Sequence, residues 1–523
     1  MDLKINREML TVSESIFDGI QEQSVELDYI LPDYFPDIFK LVKCCIVPSV
    51  LSYSINGDTV SYELQADIKI LYCSEQSNTL QCICQKMTFN KSIQLSETAE
   101  KPSVTLVPKT DHINCRVVNQ RRIDMRGAVS IKIKITGERT QEVICDIFGM
   151  NAQMKKLPVE FAAKKISAFK SISASEDFEL NSSNQPVISI IRTYSVINVT
   201  DKKIVANKLV LKGEASVCVL YSCENGLESM KFPVPFSQIV DMDGLDESFT
   251  CSVKAETASC DVTASADSNG DARILKCELR INVSCSAVKN LPAELVTDVY
   301  STSFPCEFAS SRLKIEQAPV EINELIQEKL TIESENGNVE CVYDTWCVPK
   351  NINTAVNNEE KTLVVSGMID YCVMIKNETG MPAIIEKTEA FEHTIPVNGI
   401  SETSSADINV TSVDCSYTIT SSNSISIKAD LRITGNVFLS SSCEAVTEVN
   451  FDGSVKKVRD GDYALKLYYG VEGEDIWEIA KRYSTSVRSI MEENDLDEER
   501  LTKSGMLSVS YTHLRAHETC ADL

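Results

Sequence analysis

The sequence predicts a mainly β protein in which three tandem antiparallel β-sandwich-like repeats precede a small α+β module of βααβ order. Three observations predict this fold. Apolar and polar residues alternate in segments such as "VSIKIKIT" from Val129 and "SISIKADLRIT" from Ser424, which is typical of strands with one buried and one solvated face. A set of landmarks recurs three times along the chain. The final part of the chain then changes to helical spacing.

The three repeats are defined by landmarks that recur in one order. The first landmark is an apolar residue near the end of a strand, at Tyr72, Tyr221 and Ile375, positions 149 and 154 residues apart. A phenylalanine follows 15 to 17 residues later, and an isoleucine at the centre of a further strand lies 42 to 45 residues beyond it, as Phe89 and Ile131, Phe236 and Ile281, and Phe391 and Ile433. Each repeat of about 130–150 residues is long enough to bury its own core.

These landmarks set the expected domain boundaries. We expect β-domains at residues 1–160, 170–308 and 317–452, and a C-terminal module at residues 465–507. Linkers are expected where polar and turn-forming residues concentrate, at residues 173–186, 308–319 and 451–463.

Composition limits the class of protein. The chain of 523 residues is 43% apolar and carries a net charge of −25. Such an acidic chain is not expected to bind nucleic acid, because phosphate recognition requires a basic surface. No apolar run approaches the roughly 20 residues of a membrane helix, and the first residues contain no apolar core of the signal-peptide kind. We therefore expect a cytoplasmic protein with no membrane insertion.

The 20 cysteines are expected to be reduced, mostly buried thiols, because they are spread over a long chain without a signal peptide. The tightest pairs are Cys44 with Cys45 and Cys82 with Cys84, and the second pair would share one face of a strand. No CxxC pair occurs and the chain has only four histidines. No metal or cofactor is therefore expected, although minor metal or redox roles for these thiols stay open.

The first repeat carries an additional segment, "ILPDYFPDIFKLVK" from Ile30. Pro36 and Asp37 can open a helix, and Ile38, Leu41 and Val42 have helical spacing. The segment is interpreted as a short helix that closes one end of the first sandwich, or as a partner-docking element. It resembles the opening of the SPOCS domain, a repeated module of clostridial sporulation proteins. The second and third repeats lack this motif and join the assignment only through the shared landmarks.

The C-terminal module is predicted from local signals. Residues 467–471 read as a strand, Asp475 as a helix cap, and Ile476, Ile479 and Ala480 as one apolar helix face. A second helix begins after Thr485 or Ser486, ends near Asn494, and leads to a return strand from Gly505. Trp477 shares the first helix with the apolar stripe, so it is expected to belong to the core.

This arrangement resembles the LysM module, which the SPOCS family places at its C-terminus. LysM modules bind N-acetylglucosamine-containing glycan between two loops, here residues 472–476 and 494–503. The resemblance implies a binding set of Glu472, Gly473, Glu474, Asp475, Ile476, Asn494, Asp495 and Leu496. The usual Gly-Asp-Thr/Ser-Leu turn appears here as Gly-Glu-Asp-Ile. This difference weakens the transfer of the LysM glycan contacts to this chain. Residues 470–500 contain ten acidic and four basic residues, which suits protein docking as well as glycan.

The last residues, "VSYTHLRAHETCADL" from Val509, resemble the translation of a sequencing-adapter sequence. We interpret residues 509–523 as an artefact of this kind and leave them out of the fold prediction. A genuine disordered terminus is the alternative. Under the artefact interpretation the return strand is interrupted after Leu507, and the small sheet is expected to close poorly.

The sequence is not expected to encode an enzyme. His112 and His393 lie at different positions relative to their landmarks, and no nucleophile elbow, zinc-protease motif or phosphate-binding loop occurs. Asp33 and Asp37 are the best candidate carboxylate pair, but nothing else singles them out.

The resemblance implies a non-enzymatic scaffold for spore-coat or envelope assembly, located in the mother cell at the forespore surface. Its LysM module would dock onto the ATPase that forms the coat's basement layer, and its sheets would contact other coat proteins. The alternative is a peptidoglycan-binding protein of the wall or cortex. A secreted, disulfide-linked adhesin is a third possibility.

Overall fold

A computed structural model describes residues 3–74, 80–96, 102–334, 338–378, 380–457 and 465–511 of the chain. These residues form 22 β-strands and two α-helices. The prediction of a mainly β protein is confirmed, and both helices lie near the C-terminus.

The first unit contains six strands: β1 Lys4–Ile30, β2 Ile38–Asn56, β3 Thr59–Ser74, β4 Leu80–Gln94, β5 Ser103–Asn119 and β6 Arg122–Phe148. Strands β2, β3 and β4 form an antiparallel meander, here called sheet I. Strands β1, β6 and β5 form sheet II in that order. The first and last strands of the unit are therefore hydrogen-bonded neighbours.

The second unit contains β7 Ala152–Glu179, β8 Ser189–Val205, β9 Lys208–Cys223, β10 Gly226–Asp241, β11 Thr250–Ala266 and β12 Ala272–Ser301. The third contains β13 Cys306–Glu316, β14 Val320–Glu333, β15 Val339–Asn357, β16 Thr362–Asn377, β17 Pro382–Pro396, β18 Ser405–Ser421, β19 Ser424–Phe438 and β20 Ser440–Phe451. In unit 2, sheet I has the order β8-β9-β10 and sheet II the order β7-β12-β11. In unit 3, sheet I has the order β15-β16-β17 and sheet II the order β14-β19-β18. All three units thus share one connectivity.

Each unit buries one apolar cluster between its two sheets. The alternation that predicted the strands places the side chains: Ile131 and Ile133 of β6 are buried, whereas Lys132 and Lys134 between them are exposed. Each unit is therefore a small sandwich with its own core.

Two of the three recurring phenylalanines fill a gap in sheet I. Phe236 and Phe391 lie directly across from Gly213 and Gly367 on the neighbouring strand. A Cβ atom at Gly213 would lie 2.4 Å from the Phe236 ring, and one at Gly367 would lie 2.9 Å from the Phe391 ring. The glycines are required because the aromatic rings occupy the space of their missing side chains.

The three units contact one another in a cyclic arrangement. The third strand of each sheet I meets the first strand of the next, so that β4 contacts β8, β10 contacts β15, and β17 contacts β2. Apolar side chains from all three units meet in one shared cluster, which includes Leu71, Leu220 and Met374. These residues directly precede the sequence landmarks Tyr72, Tyr221 and Ile375.

Sheet II of units 1 and 2 extends beyond the sandwich as a two-stranded ribbon, and in unit 3 a separate two-stranded sheet forms the ribbon. Residues 4–13 of β1 pair with residues 138–148 of β6, residues 152–162 of β7 pair with residues 290–301 of β12, and β13 pairs with β20. The ribbons pack on one another through a common apolar cluster of Leu10, Val143, Phe161, Ala293, Leu295, Leu313, Ile315 and Ala445. This second layer forms the base on which the C-terminal module lies.

A partly buried ion pair links the three units where the ribbons join the sandwiches. The Lys165 ammonium lies 2.7 Å from a Glu316 carboxylate oxygen, which also accepts a hydrogen bond from the Ser13 N–H at 2.9 Å. Burial acts to raise the pKa of Glu316, but Lys165, Lys314 and the Ser13 N–H outweigh it and hold this pKa at about 2.

The helix predicted after Pro36 is wrong, because β2 begins at Ile38. The helical spacing also fits a strand with bulges, and the register of β2 shifts after Ile38 and again after Leu41. The preceding loop is held by Arg121, whose guanidinium donates to the Pro32 carbonyl at 2.8 Å and to the Asp37 carboxylate at 2.6 Å.

The linkers also differ from the prediction. Strand β7 runs through residues 152–179 and β13 through residues 306–316, so these segments belong to units 2 and 3. Alternation continues through both segments, although their composition is polar. Residues 458–464 of the third predicted linker lie outside the described residues.

Gly213→Ala is expected to lower the free energy of unfolding by about 1–3 kcal/mol, because the new methyl group overlaps the Phe236 ring. Thermal unfolding followed by circular dichroism measures the change. Gly505→Ala is the control, since no atom lies within 4 Å of its Cβ position. Equal midpoints for both variants would contradict the packing role of Gly213.

Glu316→Gln is expected to lower the free energy of unfolding by about 3 kcal/mol at pH 7. The pKa of Glu316 is about 2 in the folded chain, against 4.5 for an ordinary glutamate. Its stabilising effect is therefore complete above pH 4.5 and is lost as the pH falls towards 2. Denaturant unfolding at pH 7 and pH 3 should show the difference between wild type and variant shrinking, whereas Glu307→Gln, exposed on the same strand, should change little.

Candidate functional site

The C-terminal module has the predicted strand–helix–helix–strand order, with β21 Leu465–Gly470, α1 Ile476–Tyr483, α2 Val487–Glu493 and β22 Gly505–Tyr511. The two strands pair antiparallel. Both helices pack over an apolar cluster that contains Ile476, Trp477, Ile479, Ala480, Ile490, Leu501, Leu507 and Val509.

Local capping defines the two helices. The Asp475 carboxylate accepts a hydrogen bond from the Trp477 N–H at 2.9 Å and caps α1, which ends at Ser484 in a left-handed conformation. The Ser486 hydroxyl caps α2 in the same way, accepting from the Ser489 N–H at 3.1 Å. Serine and aspartate are both preferred residues at the N-cap position of a helix.

The return strand closes the sheet, contrary to the expectation of poor closure after Leu507. Strand β22 continues to Tyr511, which pairs with Leu465. Val509 is 1% exposed and belongs to the module's apolar cluster. Residues 512–523 of the predicted artefact lie outside the described residues.

The two predicted binding loops are joined by backbone hydrogen bonds. The Gly473 N–H donates to the Leu501 carbonyl at 2.8 Å, and the Ile476 N–H donates to the Glu499 carbonyl at 2.9 Å. The Glu474 carboxylate accepts from the Val471 N–H at 2.9 Å and from a tyrosine hydroxyl, which hold its pKa below the ordinary value. The turn is therefore a fixed element of the module.

Several residues of the predicted binding set have internal partners. Asn494 joins α2 to β22, because its amide nitrogen donates to the Ile490 and Ser508 carbonyls and its oxygen accepts from the Ser508 N–H at 2.7 Å. Ile476 is fully buried and Leu496 packs against the same cluster. The two members whose side chains are exposed without a partner in the described chain are Glu472 and Asp495.

A carboxylate of β12 contributes to holding the module on the ribbon of unit 2. Asp298 on β12 accepts a hydrogen bond from the Trp477 indole N–H at 2.7 Å and lies 2.7 Å from the Lys481 ammonium. The Tyr300 ring packs edge-on against the Trp477 ring with centroids 4.9 Å apart, and its hydroxyl donates to the Thr485 carbonyl at 2.7 Å. Trp477 is thus a core residue, as expected, and also an interdomain contact.

A second ion pair joins the ribbon to the binding turn itself. The Lys155 ammonium on β7 lies 2.6 Å from Asp475, the helix cap. Partial burial acts to raise the pKa of Asp475, but hydrogen bonds from Lys155 and the Trp477 N–H outweigh it and lower this pKa. Asp298, Tyr300 and Lys155 could not be found from sequence, since each lies at least 179 residues from its partner in the module.

No metal-binding cluster accompanies this module in the described part of the chain. No three His, Cys, Asp or Glu side chains there could hold a metal ion. Asp33 and Asp37 both face Arg121, which accounts for them structurally. The 19 described cysteines are free thiols, and the Cys82 and Cys84 sulfurs lie 3.5 Å apart. Neither helix is long and apolar enough to cross a membrane.

Asp298→Ala is expected to destabilise the docked module by about 2 kcal/mol, because Lys481 and the Trp477 N–H lose a largely buried acceptor. Tryptophan fluorescence during urea unfolding, in a Trp346→Phe background, reports on Trp477 alone. Glu294→Ala on the same strand is the matched control, since Glu294 forms an exposed pair with Lys156. An unchanged Trp477 transition in Asp298→Ala would contradict the docking role.

A protein-family model matches part of the chain. Residues 186–265 match the family model described as "SipL, SPOCS domain". No curated protein and no solved structure matches the chain. The matched segment covers sheet I and β11 of unit 2, whereas the motif on which the resemblance was predicted lies in unit 1, outside the match. The second unit is thus similar to the SPOCS domain of SipL, and this similarity supports a SipL-like family for the protein.

Proposed function

We propose that the chain is a non-enzymatic scaffold for spore-coat or envelope assembly during sporulation. The similarity of residues 186–265 to the SipL SPOCS domain carries this proposal. Its three units form one body through shared apolar clusters, which suits a protein that holds partners at fixed positions. Sheet edges would contact other coat proteins by strand addition.

In this proposal the C-terminal module is the contact to the coat's basement-layer ATPase in the mother-cell cytosol. The exposed acidic side chains of the module supply the surface, at Glu472, Glu478, Asp495, Asp497 and Glu498. Charge complementarity would steer a basic partner surface to this face. Lys155 and Lys481 are already paired with Asp475 and Asp298, so they do not neutralise it.

Peptidoglycan binding is the second candidate function. The strand–helix–helix–strand order that the module shares with LysM favours it. However, Asn494, Asp475 and Glu474 already have internal hydrogen-bond partners, which leaves few free polar groups for a sugar. Glycan binding would therefore depend on Glu472, Asp495 and the exposed backbone.

A charge-reversal experiment separates the two functions. Glu472→Lys with Asp495→Lys is expected to weaken binding to the purified basement-layer ATPase about tenfold, because two complementary contacts become repulsive. Biolayer interferometry on the full chain measures the affinity. Glu247→Lys with Glu333→Lys, exposed acidic residues of units 2 and 3, is the control with the same change in net charge.

Sedimentation with purified peptidoglycan completes the test. The proposal expects the wild-type chain to stay in the supernatant. Retention on peptidoglycan that Glu472→Lys with Asp495→Lys abolishes, together with no affinity for the ATPase, would establish the second candidate instead.

A further inference from the structure

One cysteine differs from the other described thiols in its access to solvent. The 19 described cysteines are all free, and Cys84 on β4 is the only one of them that is exposed. The others are half-buried or buried. Because a thiol exchanges with a disulfide in solution only when its sulfur can be reached, access separates Cys84 from the rest of the described cysteines.

A second thiol lies directly beside Cys84. The Cys82 and Cys84 sulfurs are 3.5 Å apart, since residues two positions apart on a strand share one face. Their surroundings differ, because Cys82 packs against the apolar cluster shared by the three units, where Leu71 lies across from it on β3. Negative charge is better solvated on the exposed sulfur, so Cys82 donates the hydrogen bond and Cys84 accepts it.

Two lysines flank the Cys84 sulfur on the same sheet face. Lys69 lies directly across from Cys84 on β3, and Lys86 follows two residues later on β4. The hydrogen bond from Cys82 and the charges of both lysines outweigh burial and the Asp67 carboxylate, and they lower the pKa of the Cys84 thiol to about 7. About half of the Cys84 side chains are therefore thiolates at pH 7. The titratable groups that interact with this sulfur are Cys45, Asp67, Lys69, Cys82 and Lys86, and Lys86 is paired with Asp261 of unit 2.

Other thiol pairs in the described chain do not combine these properties. Hydrogen bonds from neighbouring cysteines also lower the pKa of Cys115, Cys260 and Cys347. However, Cys347 is buried and the other two are half-buried. Among the described cysteines, an exposed sulfur and a neighbouring thiol donor therefore occur together only at Cys84.

We propose that Cys84, with Cys82 as its hydrogen-bond donor, is a modification site that forms a mixed disulfide with a low-molecular-weight disulfide from solution. The Cys84 thiolate attacks one sulfur of the disulfide, a bond forms between Cys84 and that sulfur, and the original sulfur–sulfur bond breaks. The other half of the reagent leaves as a thiolate and takes up the proton that Cys84 has released. One thiol is consumed and one is formed, so the disulfide itself is the oxidant.

The product is expected to remain a mixed disulfide. A bond between Cys82 and Cys84 would require their Cβ atoms to lie about 3.5–4.5 Å apart, whereas residues two positions apart on a strand are separated by roughly 6.6 Å. Closing that bond would distort β4, which pairs with β3 along its whole length. A small thiol from solution can be joined to Cys84 without moving the strand.

Oxidised glutathione tests the proposal on the full chain in a Cys520→Ser background, because Cys520 lies outside the described residues. Mass spectrometry with peptide mapping at pH 7 should show one glutathionyl group on Cys84 before any other thiol is modified. Cys84→Ser should abolish this first modification. Cys306→Ser is the control and should leave the rate unchanged, since Cys306 is half-buried and burial raises its pKa to about 11. Circular dichroism checks that all variants keep the fold.

Cys82→Ala tests the hydrogen bond separately from access. At pH 7 this variant should react about fivefold more slowly, because the pKa of Cys84 rises towards that of an ordinary cysteine and the thiolate fraction falls more than its nucleophilicity increases. At pH 9 the order should reverse, because both proteins then hold a large fraction of thiolate and the thiolate of higher pKa is the stronger nucleophile. A change in access alone would move both rates in the same direction.

Three results would overturn the proposal. First modification at another cysteine would show that Cys84 is not the preferred site. Equal rates for the wild type and Cys82→Ala at both pH values would show that Cys82 does not activate Cys84. Loss of two thiols without added mass would show that the reaction ends in a Cys82–Cys84 disulfide instead.

Discussion

A two-stranded ribbon buries too little apolar surface to be stable alone in water. The ribbons of the three units therefore depend on their mutual packing through Leu10, Leu295 and Ala445. The Lys165–Glu316 pair, with the Ser13 N–H, links the three units where the ribbons join the sandwiches. Because β12 runs from the sandwich into the ribbon, the second layer is covalently continuous with the first.

The position of the C-terminal module is set by its contacts with this layer. Asp298 follows the apolar part of β12 directly, and its carboxylate is the acceptor for both Trp477 and Lys481. A buried carboxylate with two well-placed donors specifies one orientation, even where the net gain in stability is small. Lys155 and Lys481 are thus used for internal contacts, while Glu472 and Asp495 stay exposed.

Local patterns predicted local structure well. Alternation around Ile131 predicted strands, and capping residues such as Asp475 and Ser486 predicted both helices, since these signals act within a few residues. The segment after Pro36 was misread because a bulged strand and a helix turn can share the spacing of Ile38 and Leu41. The ribbons and the docking of the module were beyond prediction, because they depend on contacts between residues such as Asp298 and Trp477, 179 positions apart.

The candidate site was predicted only in outline for the same reason. The turn at residues 472–476 and the loop after Asn494 are adjacent, as the resemblance implied, but most of their polar groups are satisfied internally. A single sequence gives residue types without their partners. It therefore does not distinguish Asp495, which is exposed, from Asn494, which joins two elements of the module.

The pairing of first and last strands has a consequence for biosynthesis. Strand β1 pairs with β6, β7 with β12, and β14 with β19, so no unit is complete until its final strand has left the ribosome. Such high contact order favours slow folding, and each nascent first strand must wait unpaired for at least 91 residues of synthesis, the separation of Glu333 and Ser424. Cellular chaperones that shield exposed strand edges are therefore expected to matter more for the yield of this protein than for its final stability.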